Sequence, residues 1–259
     1  MMIYDKLPIV FLSTIASEKI GSTNSMIASY ILDHLDEMQH LGIKDMAKEC
    51  HVAVSSISRF CKEIGLKDFA ELKELLMSTD LVFEEQEYQL TSQERLHQYR
   101  QKVEDSLQMV EKSIDIHQIN RLCQAIKTHK KIAIFGLLKA ESVALNLQGD
   151  LFMLGKQVYT NVSYAEQLDY IFHADEDDLI ILFSYTGAYF DYQEIRALKK
   201  DLEKPQIWMI SSQRESFPSY INHVISFQSK QDQSSHPYQL QFIASIIAQE
   251  YARLYKNKS

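Results

Sequence analysis

At 259 residues the chain exceeds the usual single-domain size, and 46% hydrophobic with 24% charged residues is the composition of an ordinary globular protein. Seven glycines and four prolines are too few for an all-β or low-complexity chain. A net charge of -8 excludes bulk attraction to polyanions or anionic membranes, so any nucleic-acid contact must come from a local patch.

The first apolar run, LPIVFLSTIA from Leu7 to Ala16, has the length of a signal-peptide core. Asp5 and Lys6 cancel in front of it, however, and a helical pattern follows almost at once. The expected element is a short helix packed on an N-terminal domain. Cys50, Cys61 and Cys123 are odd in number and lack metal-ligand spacing, which fits reduced, buried thiols in a cytoplasmic protein. No apolar run is long enough to span a bilayer.

From Ser22 to about Thr79 every segment has a helical period. Ile27, Ala28, Ile31, Leu32 and Leu35 share one stripe, Ile43, Met46, Ala47 and Cys50 a second, and Phe69, Leu72, Leu75 and Leu76 another. FEEQEYQLTSQE, from Phe83 to Glu94, is polar and acidic and reads as a linker. A long helix follows, with Tyr99, Val103, Leu107, Val110 and Ile114 near heptad spacing. Asp115 can then cap a helix that buries Ile119, Leu122, Cys123 and Ile126. From Lys131 the period changes. KIAIFG, QVYTN, DLIILFS, QIWMISS and HVISFQ are short apolar runs separated by helical stretches, which implies a parallel sheet covered on both faces.

The segment HVAVSSISRFCKEIGLKDF, from His51 to Phe69, concentrates the most information. Ile57, Phe60, Cys61 and Ile64 form one stripe of a helix, and Ser55, Ser58, Arg59 and Lys62 the opposite one. With the preceding helix and a tight turn at His51, Val52 and Ala53, the apolar positions fit a helix-turn-helix. His51 stands where that turn usually has glycine, and a left-handed conformation there costs roughly 1 kcal/mol. Ala53 cannot cap the second helix, so Ser55 is expected to cap it from inside. The short hydroxyls of Ser55, Ser56 and Ser58 let a helix sit deep in a major groove. Arg59 can read guanine or grip a phosphate, while Lys62 and Lys67 suit the flanking backbone. A solvated face of a helical bundle would look similar. The first 80 residues carry eight Lys/Arg against twelve Asp/Glu, so DNA binding rests on pattern and local charge.

IASYILDHLDEM, IKDMAKECHVAVSSISRFCKEIGLKDFAELKELL and the α/β half together resemble the RpiR/MurR transcriptional regulators over nearly the whole chain. SSISRFCKEIGLKDF is the most specific part. The resemblance implies an all-α helix-turn-helix domain over residues 1–80, a linker and connecting helix over 81–115, and a sugar isomerase (SIS) domain over 116–259. That last domain would be a three-layer, flavodoxin-like α/β fold with a five-stranded parallel sheet. A homodimer or homotetramer, a double-stranded DNA operator in carbohydrate-metabolism genes and a phosphosugar effector are also implied.

In the SIS family two strand-to-helix loops hold the sugar phosphate, resembling Gly-x-Gly-x-Ser and Ser-x-Ser-Gly-x-Thr. Both offer amides and hydroxyls at a helix N-terminus. Here the second loop, FSYTGAYFD, keeps Ser184, Thr186 and Gly187 around Tyr185, with Ala188 and Tyr189 replacing the usual glutamate and final threonine. The first, FGLLKAESVA, keeps only Gly136. Leu138 replaces the second glycine and Ala140 the serine, although Lys139 can supply a point charge. Each lost hydrogen bond to a charged phosphate is worth roughly 1.5–3 kcal/mol. Either Lys139 restores anion binding for an altered ligand, or the pocket is vestigial and the domain only dimerises. Glu141, Glu166, His173 and His236 are possible bases by type, but no spacing singles any of them out. The expectation is therefore a regulator without catalytic residues, metal or cofactor. A sugar-phosphate isomerase with an accessory helical domain is the alternative.

Overall fold

The computed structural model describes residues 7–77, 90–190, 202, 204–212, 217–232 and 234–255. They fall into two compact units, one built on residues 7–77 with Asn161–Phe172, the other on residues 90–160, His173–Tyr189 and the described residues beyond 201. The greater part of FEEQEYQLTSQE lies outside the described residues.

The first unit holds α1 (Leu7–Ser17), α2 (Thr23–Asp33), α3 (Ile43–Glu49), α4 (Val54–Glu63) and α5 (Phe69–Met77). The run that resembled a signal-peptide core is α1, which buries Leu7, Val10 and Phe11. Ser22 caps α2 by accepting from Ser25 N at 3.2 Å. Ile27, Ala28 and Ile31 of that helix are fully buried, with Leu32 half-buried beside them. On α5 the apolar stripe is narrower than its spacing predicts: Leu72 and Leu76 are buried, whereas Leu75 is 41% exposed. Asn161–Phe172 joins this unit through α1. Ser13 Oγ donates to Val162 O at 2.6 Å and accepts from Tyr164 N at 3.3 Å.

The second unit begins with α6 (Ser92–Ser113) and α7 (Ile116–Thr128), followed by β1 (Lys131–Gly136) and α8 (Lys139–Met153). After α9 (Tyr164–His173) come β2 (Asp178–Phe183), β3 (Gln206–Ser211), β4 (His223–Ser226) and α10 (His236–Tyr255). A full capping box starts α6: Thr91 Oγ1 accepts from Glu94 N at 3.3 Å, and Glu94 accepts from Thr91 N at 2.7 Å. Asp115 caps α7 as the sequence suggests, accepting from His117 N at 2.8 Å, and Ile119, Leu122, Cys123 and Ile126 are fully buried. The expected heptad seam of α6 is weaker. Only Val110 is fully buried, and Tyr99 is 41% exposed.

All strand pairs are parallel, in the order β1-β2-β3-β4. The five-stranded expectation is corrected here: among the described residues the sheet has four strands, and QVYTN contributes a single bridge, Tyr159 opposite Ala133. Tyr159 N donates to Ile132 O at 2.8 Å, and Ile134 N donates to Tyr159 O at 2.9 Å. The run is too short to extend the ladder because only Val158 within Gln157–Thr160 is buried. With the bridge counted, the chain order across the sheet is 2-1-3-4-5, so the order reverses between β1 and β2. Every residue of β2 is buried, as a strand covered on both faces requires.

Candidate nucleic-acid interface and ligand loops

The turn between α3 and α4 is built by backbone geometry. His51 adopts φ +53° after the end of α3, as its place in the sequence suggests. His51 N donates to Lys48 O at 3.2 Å and Val52 N to Ala47 O at 2.9 Å, which closes the helix in a Schellman motif. The same device ends α4, with Gly65 at φ +88° and Leu66 N donating to Cys61 O at 2.7 Å. The capping role expected of Ser55 is not realised. Ala53 is the N-cap without a side-chain bond, and Ser56 N donates to Ala53 O at 2.9 Å instead.

This turn sets the two faces of α4. Ile57 and Cys61 have no exposed surface, Phe60 has 1%, and the Phe60 ring stacks on Phe11 with centroids 6.1 Å apart. Burial pushes the Cys61 thiol up to about 12, so it stays a neutral packing group. On the other side Ser55, Arg59 and Lys62 are exposed and Ser56 and Ser58 half-buried; Lys67 is exposed just after the helix. Glu63, the next acid along the chain, accepts from Asn24 Nδ2 at 2.9 Å. Residues 54–62 thus present two cations and three hydroxyls without an acidic group. All six residues expected to meet DNA lie on or beside this exposed surface.

In the second unit, Gly136 ends β1 directly opposite Phe183, which ends β2. The two loops therefore leave neighbouring strands where the strand order reverses, the position at which open α/β sheets bind ligands. Gly136 lets α8 approach the sheet. A Cβ there would lie 2.6 Å from both the carbonyl carbon and oxygen of Ala140. Leu138 sits at φ +50°, ψ -109°, a conformation that favours glycine, so this loop retains a glycine-type backbone beneath a leucine. Lys139 is exposed. Glu141, half-buried in the first turn of α8, has its carboxyl pushed up to about 7 by desolvation.

In the β2 loop Ser184 and Thr186 are half-buried. Gly187 has φ +70°, and a Cβ there would lie 2.9 Å from the Phe217 ring. Tyr185 turns inward, which differs from its expected place beside a ligand. It is 5% exposed, its ring lies 4.6 Å from that of His236, and its hydroxyl bonds Ser229 Oγ. Tyr189, in place of a short threonine, is 2% exposed and fills the interior. Ser229, which bonds Tyr185, and Gln239 and Ser106, which follow it in a hydrogen-bonded line, carry no local signal in the sequence apart from a glutamine on the buried face of α10. Of the four possible bases, Glu166 and His173 are exposed and His236 is buried against Tyr185. Among the described residues no cluster of three His, Cys, Asp or Glu can hold a metal ion, and no helix is long and apolar enough to cross a membrane.

The chain carries a helix-turn-helix unit with an exposed basic face and a parallel α/β unit with two loops at its switch point, the two-part layout of a regulator with a reading head and a sensor fold. Residues 11–80 match the model of the helix-turn-helix domain of the rpiR family. The chain is similar to the HTH-type transcriptional regulator HexR of Escherichia coli, with 24% identity over 75% of this chain and 69% of that protein. An HTH-type regulator of Providencia stuartii is 25% identical, and 61% of it is covered, so the chain spans roughly two thirds of these relatives. Among solved structures, the Vibrio vulnificus NanR protein complexed with ManNAc-6P superposes with a TM-score of 0.55 at 17% identity, covering 97% of this chain and 94% of that one. The sugar isomerase domain of an RpiR transcription factor from Sphaerobacter thermophilus gives 0.50 at 18% identity, covering 62% of this chain and 92% of that one. At these identities the likeness to solved structures is one of fold.

Proposed function

We propose that the protein is a cytoplasmic transcriptional regulator that binds a double-stranded operator through α4, as a homodimer or homotetramer. A sugar phosphate held at the β1 and β2 loops would modulate that binding. The observation that carries this reading is the division of α4: Ile57, Phe60 and Cys61 are sealed, and Ser55, Arg59 and Lys62 face solvent with no acid among them. Two such helices in a symmetric assembly would read half-sites about 34–36 Å apart. The HexR likeness and the rpiR-family match support the regulator, and the ManNAc-6P bound by NanR suggests the ligand class. Ser184 and Thr186 would offer hydroxyls, Gly187 a close backbone approach, and Lys139 a charge. Gly136 holds the β1 loop against α8, and Tyr185 braces the β2 loop from inside rather than touching ligand.

One observation favours a second reading, a sugar-phosphate isomerase. Glu141, in the first turn of α8 just after the β1 loop, has its carboxyl pushed up to about 7, in the range where a carboxylate can serve as a general base. Selection of genomic DNA fragments on the full-length protein, with and without ManNAc-6P, tests the regulator directly. A short palindromic sequence should be enriched, to an extent that changes with ligand. Failure to enrich any sequence, together with turnover of ManNAc-6P or a related sugar phosphate followed by NMR, would replace the regulator with the isomerase.

A further inference from the structure

The β2 loop is joined to α6 by a line of side chains that packing alone does not require. Tyr185, at the start of this loop, is 5% exposed, and Gln239 of α10 and Ser106 of α6 are fully buried. Ser229 Oγ donates its one proton to Gln239 Oε1 at 2.8 Å, so the Tyr185 hydroxyl must donate to Ser229. Gln231 N fills the remaining acceptor site of Ser229 at 3.2 Å. Gln239 Nε2 then donates to the Ser106 carbonyl at 2.9 Å. Every proton in the line points from the loop toward α6, the arrangement in which successive hydrogen bonds reinforce one another.

Both ends are anchored. The Tyr185 carbonyl accepts from Ser212 N at 3.0 Å, Ser211 Oγ at 3.1 Å and Ser212 Oγ at 2.9 Å, so the loop backbone at Tyr185 is held to the end of β3. Along α6, Lys102 lies 3.7 Å from Asp232, Asp105 lies 3.1 Å from Lys230, and Ser113 Oγ accepts from Gln228 N at 2.8 Å. These contacts run down one side of the helix and all meet the segment between β4 and α10, which contains Ser229. This polar row runs along the face of α6 next to the expected heptad stripe, of which only Val110 is fully buried. It can slide or re-pair at lower cost than an interlocked apolar seam.

We propose that the line Tyr185–Ser229–Gln239–Ser106 is the coupling element of the protein, transmitting the conformation of the β2 loop to α6. It rests on the reading above, in which that loop holds the sugar phosphate and α6 leads back along the chain to the helix-turn-helix domain. The line through Ser229 and Gln239 is the side-chain route from Tyr185 that ends on α6.

Amide hydrogen exchange of the full-length protein, without ligand or DNA, tests this. Tyr185→Phe removes only the first hydroxyl. It should accelerate exchange across residues 103–113 of α6 by at least about threefold, while β1 and α7 stay as in the parent. Gln239→Leu should produce a similar change. The double variant should add little to the larger single effect, because serial links break once. Unchanged exchange in α6 for Tyr185→Phe, additive effects, or uniform acceleration throughout the unit would each overturn the proposal. Because neither operator nor ligand enters this measurement, its outcome is independent of the fragment selection that tests the regulator.

Discussion

Replacing Arg59 separates recognition of DNA from folding. The side chain is exposed on α4, opposite Ile57, Phe60 and Cys61, and among the described residues it makes no hydrogen bond or ion pair. Arg59→Ala should therefore change stability by no more than about 0.5 kcal/mol, since it creates no cavity and strands no partner. If the guanidinium reads a guanine edge, its loss removes about 1–3 kcal/mol of discrimination, or roughly 5- to 150-fold in operator affinity. Binding to unrelated duplex would fall far less. If it grips a phosphate, affinity would fall equally on every sequence, and the slope of log K against log salt would become shallower by about 1. Arg59→Lys distinguishes the two further, because it keeps the charge and the salt slope but loses the bidentate fork. Fluorescence anisotropy with the selected operator and a scrambled duplex, at several salt concentrations, reads all of these quantities. A folded Arg59→Ala protein that binds operator as tightly as the parent would refute the assignment of α4 as the recognition helix.

Other substitutions probe the scaffold and the ligand loops. Phe60→Ala should destabilise by about 3–5 kcal/mol, because the ring is 1% exposed and stacks on Phe11; thermal unfolding followed by circular dichroism measures it. Gly136→Ala should cost about 1–3 kcal/mol by the same assay, since its Cβ would meet the Ala140 backbone at 2.6 Å. Thr186→Val should weaken binding of ManNAc-6P by about one to two decades in calorimetry and leave ligand-free operator affinity unchanged. Glu141 has its pKa raised from the ordinary 4.5 to about 7, so the folded state holds its proton more tightly than the unfolded chain. Its stabilising contribution is present below about pH 4.5 and is lost as pH rises through about 7. Glu141→Gln should consequently gain stability over the parent across that window, by on the order of 1 kcal/mol after solvent screening, and a series of denaturant titrations against pH tests the sign.

The helix-turn-helix was legible because its signals are local. The spacing of Met46, Ala47, Cys50, Ile57 and Phe60 depends only on helical period, and the left-handed demand at His51 depends only on the turn. The cap was misjudged at Ser55 because Ala53 holds the N-cap position with extended backbone, and a serine two residues inside the helix cannot replace it. The second strand, QVYTN, was over-read. Its alternation fits a strand, but only Val158 finds cover and the ladder stops at one bridge. On α6 the apparent heptad was also misleading, because Tyr99, Val103 and Leu107 sit at the margin, and Ser106 is buried along with Val110.

By itself the sequence determined the order of elements, the two faces of α4, the change from helical bundle to parallel sheet at Lys131 and the loss of the second glycine at Leu138. Each is set by residues within a few positions of one another, so backbone geometry alone carries it. Only the tertiary structure decided that Tyr185 turns inward and that Ser229, Gln239 and Ser106 join it in one line. These four residues span 134 positions between Ser106 and Gln239 counted inclusively. Burial selects partners across that distance because a polar group taken out of water must find another wherever the fold places it.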